Sequence, residues 1–299
     1  MFSGPIVALV TPFKNKDQSI DFDCVKKLVR EQLKGGTNGI VVAGTTGEGP
    51  TLEKEELSDL IDIVVKEVNN RAAVLVGTGT NSTKKTVELT RLAKERGAHG
   101  ALVIVPYYNK PTDAGVLAHF REVDTLQFPF VVYHHPGRCG IELDIETLVE
   151  LSKYENFVGL KECSNNQSLL RELFERVPEI NLLAGDDDKA ISLIQMGAKG
   201  SISVINNLYP EFWSSIIFTA LQGDFTRAYD QYQKIKPLIW AVSQEVNPQG
   251  IKCAMALAGL CEDVLRLPLL SATKNTREEI ETYLGLNSPL FLVSQSEEI

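Results

Sequence analysis

Short apolar runs alternate along the chain with longer stretches in which apolar residues recur every three to four positions. A short apolar run bounded by turn residues is the pattern of a buried parallel strand, and the longer period is that of an amphipathic helix. Strands are predicted over residues 5–10, 39–43, 73–77, 100–105, 130–134, 158–161, 181–184 and 200–204. One helix is predicted in each gap, over 21–34, 53–69, 82–96, 113–126, 144–153, 166–177 and 188–196. After about Asn206 the pattern holds helices alone, over 210–222, 225–241, 248–260 and 276–284.

The segments that open with Gly36, Gly97 and Gly197 each close a helix and begin a strand within four residues. Their first glycine is expected to supply the left-handed residue that turns the chain back into the sheet. Thr51, Ser82 and Asp144 are expected helix caps. Strand and helix alternating eight times fit an α/β fold, a (β/α)8 TIM barrel with a C-terminal helical extension. The barrel would span 1–205 and carry the active site, with 206–299 a helical region completing the barrel and packing on it. An open doubly wound sheet is the competitor, but it typically carries Gly-x-Gly-x-x-Gly after its first strand, where this chain has Thr11-Pro12-Phe13-Lys14. The Gly77-Thr78-Gly79 of the third strand fits a tight turn.

Composition narrows the class. A hydrophobic content of 43% and a charged content of 23% exclude disordered and low-complexity classes. Thirty Lys and Arg against 39 Asp and Glu give a net charge of −9, which disfavours nucleic acid and anionic membranes as partners. The N-terminus lacks the cationic start of a signal peptide and no apolar stretch is long enough to span a bilayer, so a cytoplasmic location is expected. Five cysteines without CxxC spacing suggest reduced, mostly buried thiols in place of disulfides or a zinc site. No metal is expected. His134 and His135 face opposite ways on a strand end, and Asp186-Asp187-Asp188 fits a helix-capping cluster better than a Mg²⁺ site.

A barrel enzyme carries its chemistry where strands end. Lys161 follows the apolar run Phe157-Val158-Gly159-Leu160, and desolvation there would disfavour its ammonium form and favour Schiff-base chemistry. A lysine snorkelling at the strand end or paired with Glu162 is the plainer account. Tyr133 ends the preceding strand and is either a proton carrier beside Lys161 or an aromatic core filler. Thr45 and Thr46, framed by Gly44 and Gly47, make either a carboxylate nest or an ordinary turn. Arg138, in a Pro and Gly loop, suits bidentate carboxylate recognition or is a solvated loop residue.

Taken together, Gly44-Thr45-Thr46-Gly47-Glu48, Pro106-Tyr107-Tyr108-Asn109, Tyr133-x-x-Pro136-x-Arg138-x-Gly140, Gly159-Leu160-Lys161-Glu162 and Gly185-Asp186-Asp187 resemble the dihydrodipicolinate synthase family. That family belongs to the pyruvate-dependent class I aldolase and lyase superfamily, and the likeness runs in order from Phe2 to Pro268. The resemblance implies condensation of pyruvate with L-aspartate 4-semialdehyde, the first committed step of diaminopimelate and lysine synthesis, without a cofactor. It implies that Lys161 forms the imine and that Tyr133 moves protons in a relay with Thr45 and with Tyr108 from a neighbouring subunit. Thr46, the backbone of Ile202, and Gly185 would bind pyruvate, Arg138 the carboxylate of the second substrate, and the assembly would be a homotetramer, a dimer of dimers. The family usually has Asn and Thr where this chain has His134 and Cys139, which alters the supports of Tyr133 and Arg138. Lys54, Leu57 and Lys85 replace residues of the family's lysine-sensing site, so feedback inhibition by lysine is expected to be weak or absent.

Two other readings compete. A sibling aldolase acting on N-acetylneuraminate or a 2-keto-3-deoxy-sugar acid would use the same lysine and tyrosine but commonly lacks the arginine. A non-catalytic carboxylate binder would have no need of Lys161, Tyr133 and Thr45 together.

Overall fold

The computed structural model describes residues 2–164 and 166–284. Eight parallel strands, β1 (Gly4–Ala8), β2 (Gly39–Val42), β3 (Ala73–Gly77), β4 (Gly100–Ile104), β5 (Phe130–His134), β6 (Phe157–Glu162), β7 (Leu182–Ala184) and β8 (Gly200–Ser203), pair in sequence order. The barrel closes through Ile6 against Ile202, between β1 and β8. Around it lie α1 (Phe22–Lys34), α2 (Lys54–Val68), α3 (Thr83–Glu95), α4 (Asp113–Asp124), α5 (Pro136–Cys139), α6 (Ile145–Ser152), α7 (Gln167–Arg176) and α8 (Ala190–Met196). The chain then continues through α9 (Pro210–Leu221), α10 (Phe225–Val242), α11 (Gln249–Leu257) and α12 (Lys274–Leu284). The expected 206–299 region thus includes 285–299, which lie outside the described residues. No helix among the described residues is long and apolar enough to cross a membrane.

Period-two alternation divides each strand between two cores. Val7, Ile40, Val42, Val74 and Val76 face the surrounding helices, while Ile6, Ala8, Val41, Leu75, Leu102, Val131, Leu183 and Ile202 fill the barrel. Both faces are therefore dry, as an all-parallel sheet requires. The helices fit by the usual means. In α1 the Asp21 carboxylate accepts from the Cys24 amide at 3.0 Å, and Cys24, Val25, Leu28, Val29 and Gln32 form the buried face. Gly36, Gly97 and Gly197 have φ of 79°, 78° and 122°, the turn-back conformation expected of them.

The structure corrects the sequence reading at several joints. Ser82 and Asp144 cap α3 and α6, but α2 is capped by Glu53, whose amide donates to Glu56 at 3.0 Å in a capping box. Thr51 instead donates to the Glu48 carbonyl at 2.9 Å, closing a turn of 3₁₀-helix over Gly49–Thr51. β1 ends at Ala8 because the Val10 amide turns to the Asn207 side chain, at 3.0 Å. The single turn α5 was not anticipated; it starts on Pro136 and is stopped by Gly140 at φ 72°. Asp187 does not cap α8: its carboxylate accepts from the amides of Val204 and Ile205 at 3.2 and 2.8 Å, holding the chain that leaves β8. Burial pushes this carboxyl up to about 6.

The helical C-terminal region is tied into the barrel. α9 packs on β1, α1 and α8 and so serves as the eighth barrel helix. Lys252 on α11 is fully buried, where it pairs with Glu48 of the loop after β2 and donates to the Val264 carbonyl at 2.7 Å. The Arg266 amide donates to the second Glu48 oxygen at 2.9 Å. Lys252 and Arg266 also lie over the Phe13 ring, 4.2 and 4.3 Å from its centroid. Removing one member of a buried pair strands the other's charge, so Glu48→Ala is expected to cost about 3–5 kcal/mol, while removing both charges with Lys252→Met should recover most of it. Thermal unfolding checks this; an unchanged melting temperature for Glu48→Ala would contradict it.

Candidate active site

The register of two strands sets the centre of the site. β5 and β6 pair Tyr133 with Lys161 and His134 with Glu162. Successive side chains face opposite ways, so the first pair enters the barrel and the second faces the helices. Lys161 Nζ lies 4.2 Å from the centroid of the Tyr133 ring, with both residues only 6% exposed. Glu162, which the plainer account set against Lys161, instead lies 2.8 Å from His134 Nδ1. Burial lowers the pKa of Lys161 from its ordinary value, against the opposing pull of Cys163, Asp186 and Asp187. Burial also raises Tyr133 well above the usual phenol range. The amine thus carries its proton less firmly while the phenol keeps its own, so a lysine lone pair can stand beside a protonated tyrosine.

The end of β7 leaves room for this. A Cβ on Gly185 would fall 2.1 Å from Cys163 Sγ and 2.9 Å from Lys161 Cε, so only glycine allows so close an approach. Ile202, fully buried on β8, belongs to the same interior cluster as Tyr133 and Cys163. Across the barrel, Thr46 is buried and its Oγ1 accepts from the Asn247 amide at 2.9 Å. Thr45 beside it is half-buried, and the loop is held by Thr11, whose hydroxyl donates to the Gly47 carbonyl at 2.6 Å. Arg138 is half-buried on α5 and acts electrostatically on Tyr133, Lys161 and His135. Lys161, Tyr133, Ile202 and Gly185 therefore meet in one cluster, with Thr45 and Thr46 on the loop after β2 and Arg138 on α5 after β5, at the same barrel end. Tyr108 stands apart: it is 87% exposed, with a left-handed φ of 72°.

The two departures from the family pattern act as supports. His134 Nε2 accepts from the Leu143 amide at 3.1 Å, which leaves its Nδ1 hydrogen for Glu162 and joins β5 to β6 behind the site. Cys139 Sγ donates to the Val105 carbonyl at 3.1 Å and ties α5 to the end of β4. Three further neighbours were given no role at the site from sequence. Cys163 and His135 follow Lys161 and Tyr133 by two positions, and a period of two would have placed each on the same face as its partner. Asn247 reaches Thr46 from 201 residues away, and no local pattern announces it. Among the described residues, no group of three or more His, Cys, Asp or Glu side chains is arranged to hold a metal ion.

The chain is similar to known proteins over nearly its whole length. The profile of the Dihydrodipicolinate synthetase family matches residues 1–286. A 4-hydroxy-tetrahydrodipicolinate synthase of Kosmotoga olearia is 41% identical over 286 residues, covering 94% of this chain and 97% of its own. The crystal structure of dihydrodipicolinate synthase from Aquifex aeolicus superposes with a TM-score of 0.92 at 40% identity, covering 95% of this chain and 97% of its own. The chloride-inhibited dihydrodipicolinate synthase of Acinetobacter baumannii, solved with pyruvate, has a TM-score of 0.92 at 36% identity, with 95% and 98% coverage.

Overpacking beside Lys161 provides a test of the geometry. Gly185→Ala is expected to destabilise the fold by about 1–3 kcal/mol, measured by thermal or denaturant unfolding. Wild-type stability in that variant would contradict the close approach of β7 to Lys161.

Proposed function

The chain belongs to the dihydrodipicolinate synthetase family, and from that membership we propose that it is a 4-hydroxy-tetrahydrodipicolinate synthase. It condenses pyruvate with L-aspartate 4-semialdehyde through a Schiff base on Lys161, the first committed step of diaminopimelate and lysine synthesis. The observation that carries this reading is the Lys161 amine enclosed against the Tyr133 ring. The deprotonated amine adds to the ketone of pyruvate, water leaves, and the iminium draws electrons so that a methyl proton departs to give the enamine. The enamine carbon attacks the aldehyde, and the amino group of the second substrate then displaces Lys161 as the ring closes.

Tyr133 is the proton donor and acceptor for these steps, with Thr45 and Tyr108 as its relay. Thr46 binds the pyruvate carboxylate with the backbone of Ile202, and Gly185 lines the same pocket. The Asn247 amide supports this role, because a hydroxyl that accepts from an amide keeps its own hydrogen to donate to an anion. Pyruvate bound to the A. baumannii relative supports it as the first substrate. Arg138 takes the carboxylate of L-aspartate 4-semialdehyde. With a net charge of −9 the global field gives two anionic substrates little help, so attraction is local to these groups.

Tyr108 requires a second copy of the chain to reach a site, and its exposure is consistent with being covered in a homotetramer. A cytoplasmic location is part of the same proposal and accords with free thiols at all five cysteines. Lys54 and Lys85 are exposed and Leu57 is buried, a set poorly suited to sensing lysine.

Consumption of pyruvate is expected to depend on L-aspartate 4-semialdehyde and to vanish in Lys161→Ala. Arg138→Ala should raise the KM for the semialdehyde about tenfold or more and leave that for pyruvate nearly unchanged. L-lysine at millimolar concentration should leave the rate unchanged. Cleavage of N-acetylneuraminate in place of this condensation would overturn the assignment in favour of a sibling aldolase.

A further inference from the structure

His135 occupies the site mouth with no task in the steps above. It follows Tyr133 by two positions, and its ring packs edge-on against the Tyr133 ring at 5.8 Å and 69°. It is also joined rigidly to Arg138. The His135 carbonyl accepts from the amides of Arg138 and Cys139 at 2.9 and 3.0 Å, so the imidazole and the guanidinium stand on one turn of chain. The ring is half-buried, and Nδ1 is closed off from solvent without a hydrogen-bond partner among the described residues. It lies beside Gly137, where a Cβ would come within 3.5 Å of it, whereas Nε2 is not closed off in this way. The charged groups acting on the ring are Arg138, Asp186 and Lys161. Burial, Arg138 and Lys161 all disfavour the imidazolium and outweigh Asp186, so the ring stays neutral at pH 7 and offers a lone pair.

The second substrate of the proposed reaction bears its amino group on the carbon next to its carboxylate. A carboxylate held by Arg138 brings that amino group to the neighbouring polar side chain on the same turn. We propose that His135 is a specificity-determining residue whose Nε2 accepts a hydrogen bond from the α-amino group of the second substrate while Arg138 holds the adjacent carboxylate. This assignment rests on the reaction given above and adds to it the recognition of the amine, which a guanidinium cannot perform.

The test compares L-aspartate 4-semialdehyde with 4-oxobutanoate, which has the same carboxylate and aldehyde but no amine, the latter measured as a competitive inhibitor. His135→Ala is expected to raise the KM for the semialdehyde about tenfold, with the inhibition constant of 4-oxobutanoate and the KM for pyruvate within about twofold of wild type. His135→Gln, which returns an acceptor near Nε2, should recover most of the affinity. In the wild type the KM for the semialdehyde should rise as pH falls through the imidazole pKa, below 6.5, and the Gln variant should lack that rise. An unchanged KM in His135→Ala, or an equal loss for 4-oxobutanoate, would overturn the assignment. Absence of turnover in the wild type would instead overturn the reaction itself, and this assignment with it.

Discussion

An ammonium enclosed by hydrocarbon loses the hydration that stabilises its charge, and this cost at Lys161 is what the barrel is arranged to impose. Burial of a lysine destabilises a fold unless its charge is given up or matched. Here the carboxylate next in sequence is turned away, because Glu162 faces outward to His134 while Lys161 faces inward to Tyr133. One register between β5 and β6 decides both pairs. A slip of one residue would exchange them, pairing the lysine with the helices and putting the carboxylate inside. The register is therefore as much a chemical constraint as a structural one, and the His134 bonds to Glu162 and Leu143 hold it from behind.

The same logic explains why the helical region after β8 is more than packing. The loop after β2 carries Thr45 and Thr46, and short strands alone would leave it free to move. It is anchored from the C-terminal half at two points, by Asn247 on Thr46 and by Lys252 and Arg266 on Glu48. Glu48 has a left-handed φ of 52°, a costly conformation for a residue other than glycine, and its bonds from the Lys252 ammonium and the Arg266 main-chain amide offset that cost. Rigid placement of the hydroxyls is thus supplied by residues about 200 positions away in sequence.

The strands, the helices and their order were legible because each obeys a short-range rule. Period two marks a dry strand, a period near 3.6 marks a one-sided helix, and glycine marks the turn between them. β3 and β5 fall on the predicted residues, 73–77 and 130–134. Where a distant side chain captured a backbone amide the boundary moved, as at Val10 with Asn207 and at Val204 with Asp187. The inward pair of Lys161 and Tyr133 was legible from strand ends alone, whereas excluding a Lys161–Glu162 pair needed the register. Asn247 was not legible at all, since only the closed fold brings it to Thr46.

The account stands most directly on the identity and state of one amine. Incubation with pyruvate and borohydride, followed by peptide mass mapping, should place a single reduced adduct on Lys161, with its formation rising through a midpoint below the 10.5 of an ordinary lysine. An adduct on another lysine, no adduct, or a midpoint at the ordinary value would contradict it.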